Sequence, residues 1–183
     1  MELEAAREVL LDAAEREFYE KGYQAVSMAD LRGASGVSLK QIYRNFPGKE
    51  ALVVAMLDRR DDAWMGALSS RVELEVEPAA SVGAVFDWLG WWLSGAGHRG
   101  CAWVNAYGEL GAQSPEVTAA VRRHKDRFRG YLGEIVGAAG GGEATARAVF
   151  LLAEGAMVAA GIAGSVECVP AAKEAALRLL EPV

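Results

Sequence analysis

Cysteine is scarce in this chain: Cys101 and Cys168 are the only two among 183 residues. That excludes a disulfide-stapled scaffold and a cysteine-rich zinc site. Strand signals are scarce too. No long alternation of β-branched residues runs through the sequence, so no sheet of any size is expected. Positive charge is in deficit: Lys plus Arg number 19 against 25 Asp plus Glu, a net charge of -6. A uniformly basic nucleic-acid coat is excluded, while a local basic face is not. Catalytic apparatus is missing as well. There is no Ser-His-Asp order, phosphate loop or nucleotide fingerprint. His98 and Cys101 form an HxxC pair, but two ligands do not make a zinc site. The chain is therefore expected to be no enzyme and to need neither metal nor cofactor.

Long apolar runs are limited to one. Val149 to Val166 carries a single charge, Glu154, and its length would just span a bilayer. Its Ala and Gly content, its mid-span carboxylate and its lack of an aromatic belt argue for a buried helix and no membrane. The N-terminus, Met1 to Glu8, is charged and lacks the apolar core of a signal peptide. A reducing cytoplasm is the expected location.

What is present is helical pattern. Hydrophobic residues make up 52% and charged ones 24%, a globular balance with enough chain to bury a core. Leu10, Ala13, Ala14 and Phe18 recur on one face of a first helix, about Glu4 to Lys21, with Gly22 ending it. Ser27 and Ser38 are placed to cap two brief helices, Met28 to about Ala34 and Leu39 to Asn45. A long helix follows from Lys49 to about Val72. Further helices are expected at Pro78 to Ser94, 101 to 110, Pro115 to Ala138, Glu143 to Gly164 and Pro170 to Leu180. The sum is an all-α chain of about nine helices. Its expected division is a head over residues 1–48 and a larger helical body over 49–183.

The head has the helix-turn-helix pattern: a short helix, a turn containing Gly36, and a second short helix. Gly36 permits a positive φ between the helices. Leu31, Val37 and Ile42 are spaced to close a small core with Phe18 and Phe46. That leaves Leu39, Lys40, Gln41, Tyr43 and Arg44 to reach a DNA groove. Residues 31 to 49 carry Arg32, Lys40, Arg44 and Lys49 and no Asp or Glu, a local positive face on an acidic protein.

The stretch Arg7 through Leu52 resembles the N-terminal domain of the TetR family of transcriptional regulators. The resemblance is carried by Gly22-Tyr23, Ser27-Met28, Gly36-Val37-Ser38, Ile42-Tyr43, Phe46 and Lys49-Glu50-Ala51-Leu52. It implies a homodimer whose heads grip two half-sites of a double-stranded DNA operator, and whose bodies bind a small-molecule effector that loosens the grip. It further implies backbone contacts from Ser27, Tyr43 and Lys49, with Ser38 capping the third helix and touching the backbone. Lys40, Gln41 and Arg44 stand where base edges or nearby phosphates are reached. Leu39-Lys40 and Asn45 depart from the family's commonest residues, so the base-reading surface is not the commonest one and the operator sequence does not follow from the resemblance.

In the body, all five tryptophans lie after the head. Trp64, Trp88, Trp92, Trp103, Tyr107 and Phe128, with Asn105 as a polar anchor, are the candidates to line an apolar or aromatic ligand's site. His98, Glu109 and His124 are further polar candidates. The segment Arg99-Gly100-Cys101-Ala102-Trp103-Val104-Asn105-Ala106 resembles a motif in one branch of TetR-like C-terminal domains. Ala148, Leu152, Gly155, Ala156, Ala159 and Ile162 form a smooth stripe suited to a symmetric dimer contact. The run Arg122-Arg123-His124-Lys125-Arg127-Arg129 reads as a solvated helix face, with a second nucleic-acid contact as its alternative. The leading reading is a repressor released by an apolar or aromatic ligand. A constitutive DNA-binding protein without a sensor is the second, and an all-helical enzyme the third.

Overall fold

Helix propensity, caps and breakers act in register along the chain. The computed structural model describes residues 2–181, and among them are nine α-helices and no strand. They are α1 (Leu3–Lys21), α2 (Met28–Ser35), α3 (Leu39–Asn45), α4 (Lys49–Val72), α5 (Pro78–Leu93), α6 (Ala102–Leu110), α7 (Pro115–Ala138), α8 (Glu143–Ala163) and α9 (Cys168–Arg178). The expected helices are all found, with ends shifted by at most two residues. The last begins earlier than Pro170 because its first turn needs no intrahelical N–H, so a proline is tolerated there.

The chain folds as two compact units. The first comprises Met1–Asp61 with Ala102–His124, the second Asp62–Cys101 with Lys125–Val183. In the first, α2 and α3 pack on each other and on α1. Phe18, Tyr23, Leu31, Val37 and Ile42 are essentially sealed from solvent, and Phe46 is buried beside them. Each such side chain contributes about 1.5–3 kcal/mol by leaving water. Phe18 and Tyr23 stack with ring centroids 5.4 Å apart, which closes the head's core at the end of α1.

In the second unit, α5 packs on α8 and α9, and α8 on α9. Gly83 and Gly90 lie seven residues apart on α5. A Cβ there would stand 3.1 Å from Lys173 Cε and 3.5 Å from Val169 Cγ1, so these glycines set how closely α9 approaches. Lys173 then donates to Asp87 at 2.6 Å. α8 is long and apolar enough to cross a membrane by length and composition. The expectation of a buried helix holds for one face only. Val149, Ala153, Ala156, Met157 and Ala160 are buried, while Leu151, Val158 and Ile162 are exposed. Lys125 meets Glu154, its mid-helix carboxylate, at 2.7 Å.

Candidate nucleic-acid interface

The interface is built from two short capped helices. Ser27 caps α2 reciprocally. Its hydroxyl accepts from the Asp30 N–H at 3.2 Å and donates to Asp30 Oδ2 at 2.6 Å, while the Ser27 N–H donates to the same oxygen at 2.8 Å. The Ser27 hydroxyl and N–H together hold the Asp30 carboxyl below its usual range. Gly36 adopts the left-handed conformation, φ +68° and ψ 2°, and its N–H returns to Arg32 O. An L-residue with a side chain resists that backbone, so the turn between α2 and α3 depends on glycine. Ser38 then caps α3, accepting from the Gln41 N–H at 3.4 Å and donating to Gln41 Oε1 at 3.1 Å.

α3 turns almost all of itself outward. Ile42 is its one fully buried residue. Lys40, Tyr43 and Arg44 are exposed, Tyr43 by 53%, and Gln41 is half-buried beneath them. Leu39 is exposed at the start of the helix, where its methyl groups can meet a thymine methyl. Its outward place agrees with the sequence pattern, which leaves Leu39 outside the small core of the head. Asn45 Nδ2 donates to Gln41 O at 3.1 Å, inside the helix.

Lys49 opens α4. Its ammonium donates to Gln24 O at 3.3 Å and lies 5.9 Å from the centroid of the Phe18 ring. Burial pulls its titration below the usual lysine range, and the carboxylates of Glu50, Glu109 and Asp30 partly offset that. The side chain is thus steered by the head's own core and loop. Ser27, Ser38, Lys40, Gln41, Tyr43, Arg44 and Lys49 all belong to the first unit, on α2, α3, their caps and the start of α4.

The body's candidates divide between the units. Trp64, Trp88, Trp92 and Phe128 form one buried aromatic cluster in the second unit. Trp64 meets Trp88, Trp92 and Phe128 edge-on at centroid distances of 5.0, 5.8 and 5.1 Å, and Trp88 stacks on Trp92 at 5.9 Å. Trp103 belongs to the first unit, where it stacks on the buried His124 ring at 3.5 Å; His124 Nδ1 lies 2.6 Å from Asp61 Oδ1. Asn105 is half-buried and Tyr107 exposed, both on α6. The second unit also bears an open groove of about 570 Å³, where the exposed Trp91 stands with Phe86, Val169, Pro170, Lys173 and Leu177.

Of the dimer-stripe residues, Gly155, Ala159 and Ile162 are exposed, Ala148 and Leu152 half-buried, and Ala156 buried. The basic run on α7 is largely neutralised. In the first unit Arg123 pairs with Asp58 at 2.8 Å. In the second Lys125 pairs with Glu154, Arg127 with Asp62 and Arg129 with Asp126. A second nucleic-acid contact loses its charge to these carboxylates. Among the described residues no group of His, Cys, Asp or Glu is arranged to hold a metal ion.

Residues 10–56 match the family model of bacterial regulatory proteins, tetR family. The chain is 35% identical over 83 residues to the HTH-type transcriptional repressor ComR of Escherichia coli, covering 45% of this chain and 39% of ComR. It is 36% identical over 78 residues to the HTH-type transcriptional regulator TtgR of Pseudomonas putida, covering 42% of this chain and 37% of TtgR. The matched region thus spans about two fifths of the length of these curated relatives. By structure, it superposes on SCO4454, a TetR-family transcriptional regulator from Streptomyces coelicolor, with a TM-score of 0.84, 28% identity, and coverage of 94% of this chain and 88% of that one.

Proposed function

We propose that this chain, which belongs to the TetR family of bacterial regulatory proteins, is a transcriptional repressor that binds a palindromic operator as a homodimer. Its family is one of regulators and not of enzymes. The observation that carries the reading is α3: a seven-residue helix held by one buried isoleucine, with Lys40, Tyr43 and Arg44 turned to solvent. Such a helix contributes little to a core and much to a groove. Tyr43 and Lys49 fix the phosphate backbone with help from Ser27 and Ser38, while Lys40, Gln41 and Arg44 reach base edges. The functional boundary after residue 48 follows from that division of labour. A DNA partner accords with a cytoplasmic protein.

The exposed side of α8 supports the dimer. Leu151, Gly155, Val158, Ala159 and Ile162 lie there, with Ile162 84% exposed. An apolar helical face of this kind is stable in water when a second copy covers it. The effector is an apolar or aromatic small molecule acting on the body; the support is the aromatic stock of the second unit, Trp64, Trp88, Trp92 and Phe128, and the open groove beside Trp91 in the same unit. By differential affinity for the released state it lowers operator occupancy.

Selection of bound duplexes from a random pool tests the whole reading. A two-fold symmetric consensus is expected. A pool that is never enriched would remove the DNA-binding function, and an asymmetric single site would remove the dimer. Binding that no aromatic compound weakens would leave a constitutive DNA-binding protein.

A further inference from the structure

The loop between α1 and α2, residues 22 to 27, is held from outside the head. Within the first unit, Glu109 on α6 accepts the Gln24 N–H at Oε2, 2.8 Å away, and its backbone carbonyl accepts Gln24 Nε2 at 2.6 Å. Two turns earlier, at the start of α6, Ala102 O accepts from the Tyr23 hydroxyl at 3.0 Å. Gly22 is the seat for the carboxylate. A Cβ there would stand 3.2 Å from both Glu109 oxygens, and the residue has φ +92°. A side chain at position 22 is therefore opposed twice, by backbone conformation and by the carboxylate. The other end of the loop carries the DNA-facing groups. Ser27 starts α2, and Lys49 donates to the carbonyl of the same Gln24 whose N–H Glu109 holds.

We infer that Glu109 is a positioning residue for the DNA grip: it fixes the backbone of Gln24, whose carbonyl in turn aims Lys49, and its charge tempers that lysine's hold on phosphate. The inference rests on the proposed DNA-binding function. Two effects follow, and they have opposite signs. The hydrogen bond to the Gln24 N–H orders the loop backbone on both sides of that residue, so its loss loosens the ammonium and the start of α2. The negative charge competes with phosphate for the same ammonium, so its removal strengthens binding to any duplex. Neither Gln24 nor Glu109 needs to touch DNA. No other acidic residue of α6 exists to share the role, since Glu109 is the only carboxylate between Ala102 and Leu110.

Glu109→Gln and Glu109→Ala separate the two effects. The glutamine keeps an acceptor for the Gln24 N–H and loses the charge; the alanine loses both. Amide hydrogen exchange over residues 22–27 reads the latch without DNA: protection is expected to persist in Glu109→Gln and to fall at least tenfold in Glu109→Ala. Binding to the selected operator and to a scrambled duplex reads its use. Glu109→Gln is expected to bind both several-fold more tightly, and Glu109→Ala to bind the operator about tenfold more weakly with a reduced operator-to-scrambled ratio. Folded fraction is measured for each, so a mere loss of active protein is corrected out. Equal exchange in all three proteins overturns the inference, as does a shift of both variants in one direction with the ratio unchanged. A parent chain that binds no duplex removes the functional reading, and this inference with it. Intact parent binding with unresponsive variants removes only Glu109's role.

Discussion

Lys49 and Tyr43 are assigned the same task by different physics, and salt separates them. The Lys49 ammonium is charged, steered by Gln24 O and the Phe18 ring. The Tyr43 hydroxyl is neutral and 53% exposed as a residue. A neutralised phosphate releases counterions, and each contact contributes about 0.9 to the slope of log affinity against log salt. Lys49→Ala removes one contact per head, so a dimer's slope should flatten by about 1.8. Between about 50 and 200 mM salt, the parent should then lose roughly tenfold more affinity than the variant. Tyr43→Phe removes a hydrogen bond from a neutral donor to a charged phosphate, worth about 1.5–3 kcal/mol per head, or about 3–6 kcal/mol for two. Its affinity should drop by a similar factor at every salt concentration. Fluorescence anisotropy with a labelled operator at four or five salt concentrations measures both. A Lys49→Ala line parallel to the parent's would refute the phosphate assignment, even if its affinity were low. A flattened line for Tyr43→Phe would show that the tyrosine acts through the charges around it.

Ser27→Ala should destabilise the head by about 1 kcal/mol by removing the α2 cap, read as an earlier urea midpoint. Because Asp30 is held below its ordinary value of 3.8 by Ser27, the cap's contribution is present above that value and lost as pH falls beneath it; the Ser27→Ala difference should therefore shrink in acid, and a constant difference would contradict the box. Lys125 behaves oppositely. Burial works against its charge, but Cys101 and Glu154 more than offset that and raise its titration above 10.5. Its tie to α8 is present at neutral pH and fails only on the alkaline side, so Glu154→Gln should lower the melting temperature at pH 7 and converge with the parent only once pH rises past the raised lysine titration. Ile162→Asp should give a folded monomer with weak operator binding by light scattering, whereas Ala156→Asp should unfold the chain, because Ala156 is only 4% exposed; a folded monomer from Ala156→Asp would contradict the packing. All five tryptophans lie outside the head, so quenching by an aromatic effector should occur with unchanged signal on adding DNA fragments alone.

The fold was legible because its helices obey local rules. Gly22, Gly36 and Gly164 stop helices where the chain needs a positive φ, and Ser27 and Ser38 start them with side-chain caps. The head's core residues announce themselves by spacing, since a seven-residue helix such as α3 has room for one inward position. Which residues face outward was also readable, because Lys40, Tyr43 and Arg44 have no inward alternative. The buried aromatics were less legible. A tryptophan shows the same periodicity whether it lines a pocket or packs edge-on against Trp64, and nothing local marks Trp103 as a partner of His124 in the first unit.

Pairings between distant residues were the least legible of all, and they change the meaning of charges. The α7 run looks cationic in sequence, yet Arg123, Lys125 and Arg127 each face a carboxylate 29 to 65 residues away. Charge counted along the chain therefore overstates the field at α7 and describes it well at α3, where residues 31 to 49 hold no Asp or Glu. Even there one acid arrives from elsewhere. Glu109 comes 85 residues after Gln24 and stands in the lysine's electrostatic surroundings. The positive face of the head is thus set partly by a residue outside it. With Glu109 as the inferred positioning residue, a substitution on α6 is expected to alter DNA affinity without touching any residue of the helix-turn-helix.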